Sequence, residues 1–557
     1  MFENFLKKFA DITAWISVGV LLSGGVVLRH SLFGKAEIVE FNQWGLLLLP
    51  AFLCVFFNLN GWRDLNFIRS LKNVWDRCSP DVVLKLVIIL IPFLHFLALV
   101  HRHYSFHSNW DLAIYSNACA NSLHSSLRNH TTLMADHIEP ILGLLTPLCS
   151  NLNPAITLLA TQCCAWSIGA FGVYKISLSL QHSKLLSSLF AFLYLTFSGH
   201  QTISYLDFHT YGLSLATIPW ILFGYRQNSK ILIVAVVVHL AIKENTGLFI
   251  AGLGLFALTE KRFKVGGSLF IVGLSVFAIC MLILYPYFRN GQESEYFSKY
   301  YGHLGHNFKE FAVNIFLKPK VVFETLISLE KTIYLFKIFT PFLFIPLFRP
   351  KYLLPIGGPL AISILSNVPY MYSTDFHYEA EIYPWLFVST IVLLGEENWN
   401  SSHLLHFLPR LINNKIRVPF NRVWVFVSWI IIFFTGAMPQ SRISYYMPSR
   451  ANLELAAALQ QLEHDYHHCN ISTLAQLAPH LSRNQNLTLL SDLSISNMVV
   501  VAFPRRSQGW DFDAEKMKLE LYPLLDQKFS EKIFPLPHDQ SFQVWTNDSC
   551  KQSPKKS

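Results

Sequence analysis

Residues 109–140 read NWDLAIYSNACANSLHSSLRNHTTLMADHIEP, a polar stretch between the apolar runs 82–101 and 154–180. Its titratable side chains are Asp111, His124, His130, Asp136, His137 and Glu139. This density is unusual because the chain is 52% apolar and only 14% charged, whereas soluble domains carry about a quarter charged residues. The stretch is therefore predicted to carry a chemical site and not to act only as a connection.

The composition indicates a membrane protein. The chain has 46 Phe and 13 Trp, and its mean hydropathy is +0.35. The net charge of +9 does not indicate nucleic-acid binding, because the basic residues lie in short loops between apolar runs. The first apolar run lacks a small-residue cleavage site, so we expect a membrane anchor and not a cleaved signal peptide.

Apolar runs divide the chain into about thirteen predicted spans, several of them shorter than the roughly twenty residues that a bilayer requires. They are 12–30, 43–59, 82–101, 154–180, 185–205, 210–225, 230–243, 245–259, 265–288, 333–348, 352–368, 381–395 and 421–439. The pair 230–243 and 245–259 is either two short helices that meet at Lys243-Glu244-Asn245 or one long helix. The fold class expected is an all-α polytopic membrane protein with a small α/β domain at its C-terminal end.

Lys and Arg cluster in loops that all fall on one side of these spans, and the positive-inside rule makes that side cytoplasmic. The N-terminus is then cytoplasmic, and the protein lies in the cell membrane. The loops expected on the outer side are 102–153, 206–209, 243–245, 289–332, 369–380 and the tail from Pro439. We predict three parts: two helices in 1–81, a core in 82–439 with large outer loops at 102–153 and 289–332, and an extracytoplasmic domain in 440–557.

Two segments in the outer loops are apolar but too short to cross, ILGLLTPL at 141–148 and EFAVNIFL at 310–317. Such segments are typical of interfacial or re-entrant helices. The tail is predicted to hold helices at 450–466 and 472–482 and strands within 487–503. Of the nine cysteines, Cys469 and Cys550 could form a disulfide if the tail is extracytoplasmic.

The first candidate site residues lie in the 102–153 loop. Asp111 could deprotonate a hydroxyl acceptor or hold a divalent metal, and it could equally cap the helix that follows it. His137 could stabilise a phosphate leaving group, or it could belong to a polar cluster at a helix start.

Other candidates lie at breaks between spans. Asp207 and His209 flank Phe208, where charged groups commonly line a water-filled cavity, although a solvated turn is the alternative. Lys243 and Glu244 are costly in lipid unless they pair or face a cavity, and a lysine there suits an anionic phosphate. Asp375, His377, Glu379 and Glu381 lack the spacing of a known metal motif, so we expect a cavity-lining loop and no metal site there.

Several short motifs resemble the domain-of-unknown-function family 2079 of polytopic membrane proteins. The matching segments are 110–115 (WDLAIY), 137–142 (HIEPIL), 207–209 (DFH), 243–247 (KENTG), 301–305 (YGHLG), 377–380 (HYEA) with Pro384, and 478–483 (APHLSR). The resemblance extends over roughly 82–510. It departs from the family pattern at Trp110, Ala113, Ile138-Glu139 and Asn245, where the family has an acidic residue in place of the asparagine.

That family is similar in layout to the C-type (GT-C) membrane glycosyltransferases, which transfer sugar from a polyprenyl-phosphate carrier outside the cytoplasm. The resemblance implies a catalytic base at Asp111 and substrate contacts from His137, Asp207, His209, Lys243, Glu244, Tyr301, His377 and Tyr378. The expected partners are a polyprenyl-phosphate sugar donor and membrane lipids. A non-catalytic transporter or flippase for an anionic lipid or solute is the alternative, and a structural factor whose tail recruits a partner is a third hypothesis.

Overall fold

A computed structural model describes residues 28–30, 37–39, 80–108, 110–125, 127, 132–205, 207–292, 295–395, 447–490, 496–502, 514–529, 531–533 and 542–550. The protein is mostly helical with a small sheet. The predicted spans 43–59 and 421–439 lie outside the described residues. Of the predicted span 12–30, only Leu28–His30 is described, and it is a strand (β1) that pairs antiparallel with Glu37–Val39 (β2).

The helices that precede the second large outer loop (289–332) follow the predicted runs in part. They are α1 (Pro80–Tyr104), α2 (Trp110–Ala120), α3 (Pro140–Asn151), α4 (Pro154–Ser179), α5 (Lys184–Thr196), α6 (Ser198–Tyr205), α7 (Ser214–Arg226), α8 (Ile231–Leu240), α9 (Thr246–Thr259) and α10 (Phe263–Ile279). A π-helical turn, Cys280–Leu284, joins α10 to α11 (Tyr285–Phe288). The run 230–259 is therefore two helices, α8 and α9, which is the first of the two alternatives.

Two helices are long and apolar enough to cross a membrane within the described part of the chain, Pro154–Ser179 and Phe263–Phe288. Four shorter apolar helices, Ile88–Tyr104, Leu186–Thr196, Ile231–Leu240 and Thr246–Thr259, fall below that length. The expectation of about thirteen spanning helices is therefore not confirmed. Hydropathy registers how apolar a run is, but it does not register where the helix inside that run stops.

The run 333–348 shows this clearly, and its prediction as one helical span is wrong. Helix α15 (Leu329–Phe339) ends there and is followed by the 3-10 turns Thr340–Phe342, Ile345–Phe348 and Pro350–Leu353. Pro341, Pro346 and Pro350 each lack the amide hydrogen that an α-helix would need. Leu343 and Phe344 lie in the left-handed region, with φ of 49° and 58°.

Close helix packing organises the middle of the core. Helices α9 and α10 meet through Gly247 and Gly273, where a Cβ on Gly273 would lie 2.5 Å from the Gly247 carbonyl oxygen. Small residues that let two backbones approach are a common device of helix pairs in membranes. The same helix α9 also packs on α16 (Leu354–Ile364), and α17 (Ile382–Gly395) is almost entirely buried beside α7.

The second outer loop forms three short helices before α15: α12 (Glu295–Tyr301), α13 (Phe308–Leu317) and α14 (Pro319–Leu326). Asn307 caps α13 by accepting the Glu310 amide hydrogen. Phe316 and Phe323 are 82% and 65% exposed on these helices. Helix α3 likewise exposes Leu144 and Leu148. Both segments therefore expose apolar side chains, as expected of interfacial helices.

The tail forms a small α/β unit. Helix α18 (Arg450–Asp465) precedes a sheet of five strands in the order β4-β3-β5-β7-β6: β3 (Ile471–Thr473), β4 (Thr488–Leu489), β5 (Met498–Val501), β6 (Glu531–Ile533) and β7 (Gln543–Thr546). Strand β3 runs parallel to β4 and β5, and β7 runs antiparallel to β5 and β6. The helix predicted at 472–482 is wrong, because that segment is strand β3 followed by a 3-10 turn at Ala478–Leu481. Helix α19 (Ala514–Lys528) was not predicted.

The tail packs on the core. The Asn117 side chain donates to the carbonyl oxygens of Ser482 and Asn484 at 2.9 and 2.8 Å, and Asn121 donates to Ser482 at 3.0 Å. The His103 and His480 rings stack with centroids 4.0 Å apart. The disulfide that Cys469 and Cys550 could form according to the sequence is present, and it joins the segment after α18 to the segment after β7.

Candidate functional site

Helix α2 carries Asp111 in its first turn. The helix is buried from Leu112 to Cys119, and a disulfide between Cys119 and Cys149 fastens its last turn to α3. This disulfide was not predicted from the sequence. Asp111 lies at the open end of this anchored helix, and its side chain is 30% exposed. The fold thus fixes the backbone behind this carboxylate while leaving the carboxylate accessible.

The segment between α6 and the 3-10 turn Thr210–Leu213 brings His209 to Asp111. Asp207 adopts a left-handed conformation with φ of 78°, and its carboxylate is held by Arg102 at 3.3 Å. The His209 amide donates to Gln162 Oε1 at 3.3 Å. These contacts position the buried His209 ring so that its Nε2 lies 3.3 Å from Asp111 Oδ2.

A second histidine lies under the first. The His377 ring stacks on His209 with centroids 3.7 Å apart, and the Tyr378 ring lies 4.5 Å from His377. Burial lowers the pKa of His377 well below its ordinary value, and the neighbouring His209 lowers it further although Asp111 opposes the shift. His377 is therefore neutral at physiological pH, and the stacked pair does not hold two positive charges.

Lys243 and Glu244 lie in the turn between α8 and α9 and pair with the first outer loop. Lys243 Nζ lies 3.2 Å from Glu139 Oε1, which also accepts the Tyr115 hydroxyl at 3.2 Å. Glu244 contacts His137 Nδ1 at 3.2 Å and accepts the Ile138 amide at 3.1 Å. Two adjacent residues of one turn are thus bound to all three residues of the segment 137–139.

The charge states of this turn follow from its ion pairs. Burial alone would lower the pKa of Lys243, but the carboxylates of Glu139 and Glu244 raise it above its ordinary value. Burial would raise the pKa of Glu244, but Lys243 and His137 lower it to about 2. Both groups are therefore charged at neutral pH. An anion that reached Lys243 would share this cation with Glu139.

The structure thus brings together eight of the nine candidate residues, namely Asp111, His137, Asp207, His209, Lys243, Glu244, His377 and Tyr378. Asp111, His209, His377 and Tyr378 form one continuous set of contacts, and the charges of Lys243 and His137 act on His377. Tyr301 lies at the edge of this set, because it packs with Leu304 and Leu365 and donates its hydroxyl to the Ile362 carbonyl at 2.9 Å, whereas it acts on Tyr378 only electrostatically.

Several residues outside these nine complete the cluster. Arg102 forms an ion pair with Asp207, and Glu139 forms one with Lys243. Glu139 is visible in the sequence as part of ADHIEP, but nothing in a single sequence indicates which carboxylate of that segment faces Lys243. Glu381 accepts the Tyr211 hydroxyl at 2.6 Å and contacts His239 Nε2 at 2.8 Å, and it is completely buried.

Glu379, which the sequence predicts to lie in a cavity-lining loop and not in a metal site, is a buried carboxylate beside the site. Its Oε1 accepts the Tyr334 hydroxyl at 3.0 Å, and its Oε2 has no hydrogen-bond partner among the described residues. Burial raises its pKa to about 8 against the opposing effect of the Tyr334 hydroxyl. Glu379 is therefore protonated at neutral pH and can donate a hydrogen bond.

Asp111 was also predicted as a possible ligand of a divalent metal ion. In the described ranges, the group whose ligand atoms converge is His468, Cys469 and Cys550, and the two sulfur atoms there are already bonded to each other. Asp111 Oδ2 instead lies 3.3 Å from His209 Nε2, which is an ion-pair distance, and that ring nitrogen makes no hydrogen bond among the described residues.

Comparison with known proteins gives one family. A family model described as "Predicted membrane protein (DUF2079)" matches residues 102–515, well over half of the chain. The match includes the whole cluster from Arg102 to Glu381 and much of the tail unit. No curated protein matches the chain.

Proposed function

We propose that this chain, which belongs to the DUF2079 family of predicted membrane proteins, is a membrane glycosyltransferase. It would move a sugar from a polyprenyl-phosphate donor to an acceptor at the extracytoplasmic face. The observation that carries the proposal is the accessible Asp111 carboxylate, held 3.3 Å from His209 at the open end of an otherwise buried helix.

In this proposal Asp111 removes the proton from the acceptor hydroxyl. The acceptor oxygen then forms a bond to the anomeric carbon as the bond from that carbon to the phosphate oxygen breaks. Polyprenyl phosphate leaves with the bonding electron pair, and the proton passes from Asp111 to water. A carboxylate suits this role because it can take the proton of the acceptor hydroxyl while the acceptor oxygen attacks the anomeric carbon.

His137, His209 and Lys243 are proposed to meet the phosphate. Developing charge on a leaving phosphate is best stabilised by donors that are already in position. Lys243 is charged, and its ion pair with Glu139 holds the ammonium group in position. The same ion pair neutralises part of the charge that would meet the phosphate. Asp207, Glu244, His377 and Tyr378 are proposed to line the substrate site and hold these groups in place.

The orientation is part of the proposal. The disulfides Cys119–Cys149 and Cys469–Cys550 both lie in segments assigned to the outer side. Disulfides form and persist in oxidising compartments outside the cytoplasm. The exposed apolar side chains of α13 and α14 would rest in the interface, where a lipid-linked donor is found.

A transfer assay tests the function. Full-length protein in lipid nanodiscs is given radiolabelled polyprenyl-phosphate sugars, and label leaving the lipid fraction is measured for the wild type. Release of label to an acceptor or to water supports the transferase. If the wild type releases no label but binds the lipid, and Lys243→Ala loses that binding, a transporter or flippase of anionic lipid replaces the proposal.

A further inference from the structure

Four half-exposed aromatic side chains lie together beside Asp111, and we call them the aromatic panel: Tyr300, Tyr370, Phe376 and Tyr378. The Tyr370 and Tyr378 rings stack with centroids 6.1 Å apart and an angle of 22° between their planes. Phe376 lies 5.8 Å from Tyr370 and 6.3 Å from Tyr378. Three of the four come from a single outer loop, so the rings lie on one short stretch of backbone.

Hydrogen bonds hold the aromatic panel in place. The Tyr370 hydroxyl donates to the Tyr300 hydroxyl at 2.8 Å, which fastens the loop to helix α12. The Asn367 amide also donates to the Tyr300 carbonyl at 2.9 Å. These contacts join the two outer loops that carry the rings. Rings that are held in this way lose little conformational entropy when a ligand covers them.

The panel adjoins the reactive centre. Tyr378 contacts His377, His377 stacks on His209, and His209 lies 3.3 Å from the Asp111 carboxylate. Burial raises the pKa of Tyr378 above its ordinary value, and the nearby charges of Tyr370 and Asp111 act in the same direction. The panel is therefore linked to Asp111 through the His377 and His209 rings.

We propose that the aromatic panel is a saccharide subsite, in which a pyranose ring lies against the Tyr370 and Tyr378 rings. This inference rests on the proposed function and specifies the substrate class of that site. Ring C–H groups of a sugar can contact an aromatic face while its hydroxyls bond to carboxylates at the rim, as Tyr and Trp combine an apolar body with a polar end. Asp375 is exposed beside the panel, and buried Glu379 follows it in the chain.

A prenyl chain fits the panel less well than a sugar. The Tyr370 and Tyr300 hydroxyls bond to each other, but a hydrocarbon would cover the Tyr378 hydroxyl and the exposed Asp375 carboxylate without offering them hydrogen bonds. Fully apolar exposed surface lies elsewhere, for example at Phe316 and Phe323. The chemistry of the panel therefore separates the sugar end of a substrate from its lipid end.

Saturation-transfer NMR on the full chain in nanodiscs tests the subsite without requiring transfer. The probes are methyl α-D-glucopyranoside and methyl α-D-mannopyranoside, with acyclic sorbitol as the negative probe. We expect a pyranoside to bind the wild type with saturation on its ring C–H protons, and sorbitol not to bind. Tyr378→Ala should weaken that binding at least tenfold, whereas Tyr378→Phe, which keeps the aromatic face, should weaken it less than threefold.

Tyr287→Ala is the matched control, because Tyr287 is 73% exposed and lies outside the panel. It should bind pyranoside as the wild type does. If Tyr378→Ala does not fold, Phe376→Ala carries the same expectation. Equal pyranoside binding by the panel variants and the wild type would overturn the inference, as would the absence of any pyranoside binding.

The two proposals fail separately. Transfer by the wild type that Tyr378→Ala leaves unchanged would retain the glycosyltransferase and remove the panel. Pyranoside binding at the panel without any transfer would retain the subsite and remove the enzyme. Where both hold, inhibition by pyranoside that is competitive with the lipid donor assigns the panel to the donor sugar, and competition with the acceptor assigns it to the acceptor.

Discussion

The Asp111 carboxylate and the His209 imidazole contact each other from segments that are far apart in the sequence, with Oδ2 3.3 Å from Nε2. Asp111 lies in the first turn of a helix that a disulfide holds, and His209 lies two residues after Asp207, which has a left-handed backbone and an ion pair with Arg102. Each of the two side chains is thus held in position by contacts of its own segment. The proposed proton transfer at Asp111 would depend on such fixed positions.

The Lys243–Glu139 pair should be important for stability. Among the described residues, Lys243→Met leaves the completely buried Glu139 carboxylate with the Tyr115 hydroxyl as its one remaining partner, and removing one partner of a buried pair costs about 3–5 kcal/mol. We expect a lower thermal midpoint in detergent, and a smaller loss in Lys243→Met/Glu139→Gln than the two single losses would predict together. Lys320→Met, in an ion pair whose side chains are 87% and 63% exposed, is the control and should change little. Strict additivity of the two single losses would contradict the pairing.

Glu379 should make stability depend on pH. Its folded-state pKa of about 8 lies above the ordinary value of 4.5. The folded protein therefore binds the proton more tightly than the unfolded chain, and stability falls as the pH rises from about 4.5 to about 8. Glu379→Gln removes this dependence, so its thermal midpoint relative to that of the wild type should rise between pH 5 and pH 8. A difference that stays constant over this range would contradict the raised pKa, and the exposed Glu324→Gln serves as the control.

The Cys119–Cys149 bond should hold the helix that carries Asp111. Replacing both cysteines by alanine should lower the free energy of unfolding by about 2–4 kcal/mol, because the unfolded chain loses a cross-link. The thermal midpoint of the double variant measures this loss. Peptide mapping without reduction should recover one linked peptide that contains both residues. Recovery of both as alkylated free thiols would show that the bond is absent from the protein.

Asn117 should hold the tail on the core. Asn117→Ala leaves the Ser482 carbonyl with the Asn121 bond and the Asn484 carbonyl without its Asn117 donor, at a cost of about 1–3 kcal/mol. We expect limited proteolysis to release the tail faster than in the wild type. Asn151→Ala is the control, since exposed Asn151 donates only within its own helix in the described structure. Equal release rates for Asn117→Ala and the wild type would contradict the contact.

Local patterns predicted some features well. The polar triplet Lys243-Glu244-Asn245 left two helices or one long helix open, and the structure has two helices, as expected from the cost of charged residues inside an apolar helix. The tail cysteines form the bond that the sequence offered as a possibility, and the continuous apolar run Met498–Val501 is the buried strand β5. Each of these depends on residues that are close in the sequence or on a chemical type with one obvious partner.

Other features depend on partners that one sequence does not reveal. The segment 136–139 offers Asp136, His137 and Glu139, and only the fold selects Glu139 for Lys243 and His137 for Glu244. Arg102 lies in the last turn of α1, where the sequence indicates only a basic residue at the end of a span. In the structure its side chain forms an ion pair with Asp207. Apolar runs such as 333–348 contain prolines that divide them, so a count of runs exceeds the number of long helices.

The measurement that tests the central claim most directly is transfer by wild type, Asp111→Asn and Glu324→Gln in the same nanodiscs, with labelled polyprenyl-phosphate sugar as donor. Asn preserves the shape of the side chain but cannot take a proton, so we predict that Asp111→Asn loses at least a hundredfold in rate while its thermal midpoint and lipid binding stay unchanged. Glu324→Gln should transfer at the wild-type rate. Transfer by Asp111→Asn at the wild-type rate would contradict the account, because Asp111 could not then be the base.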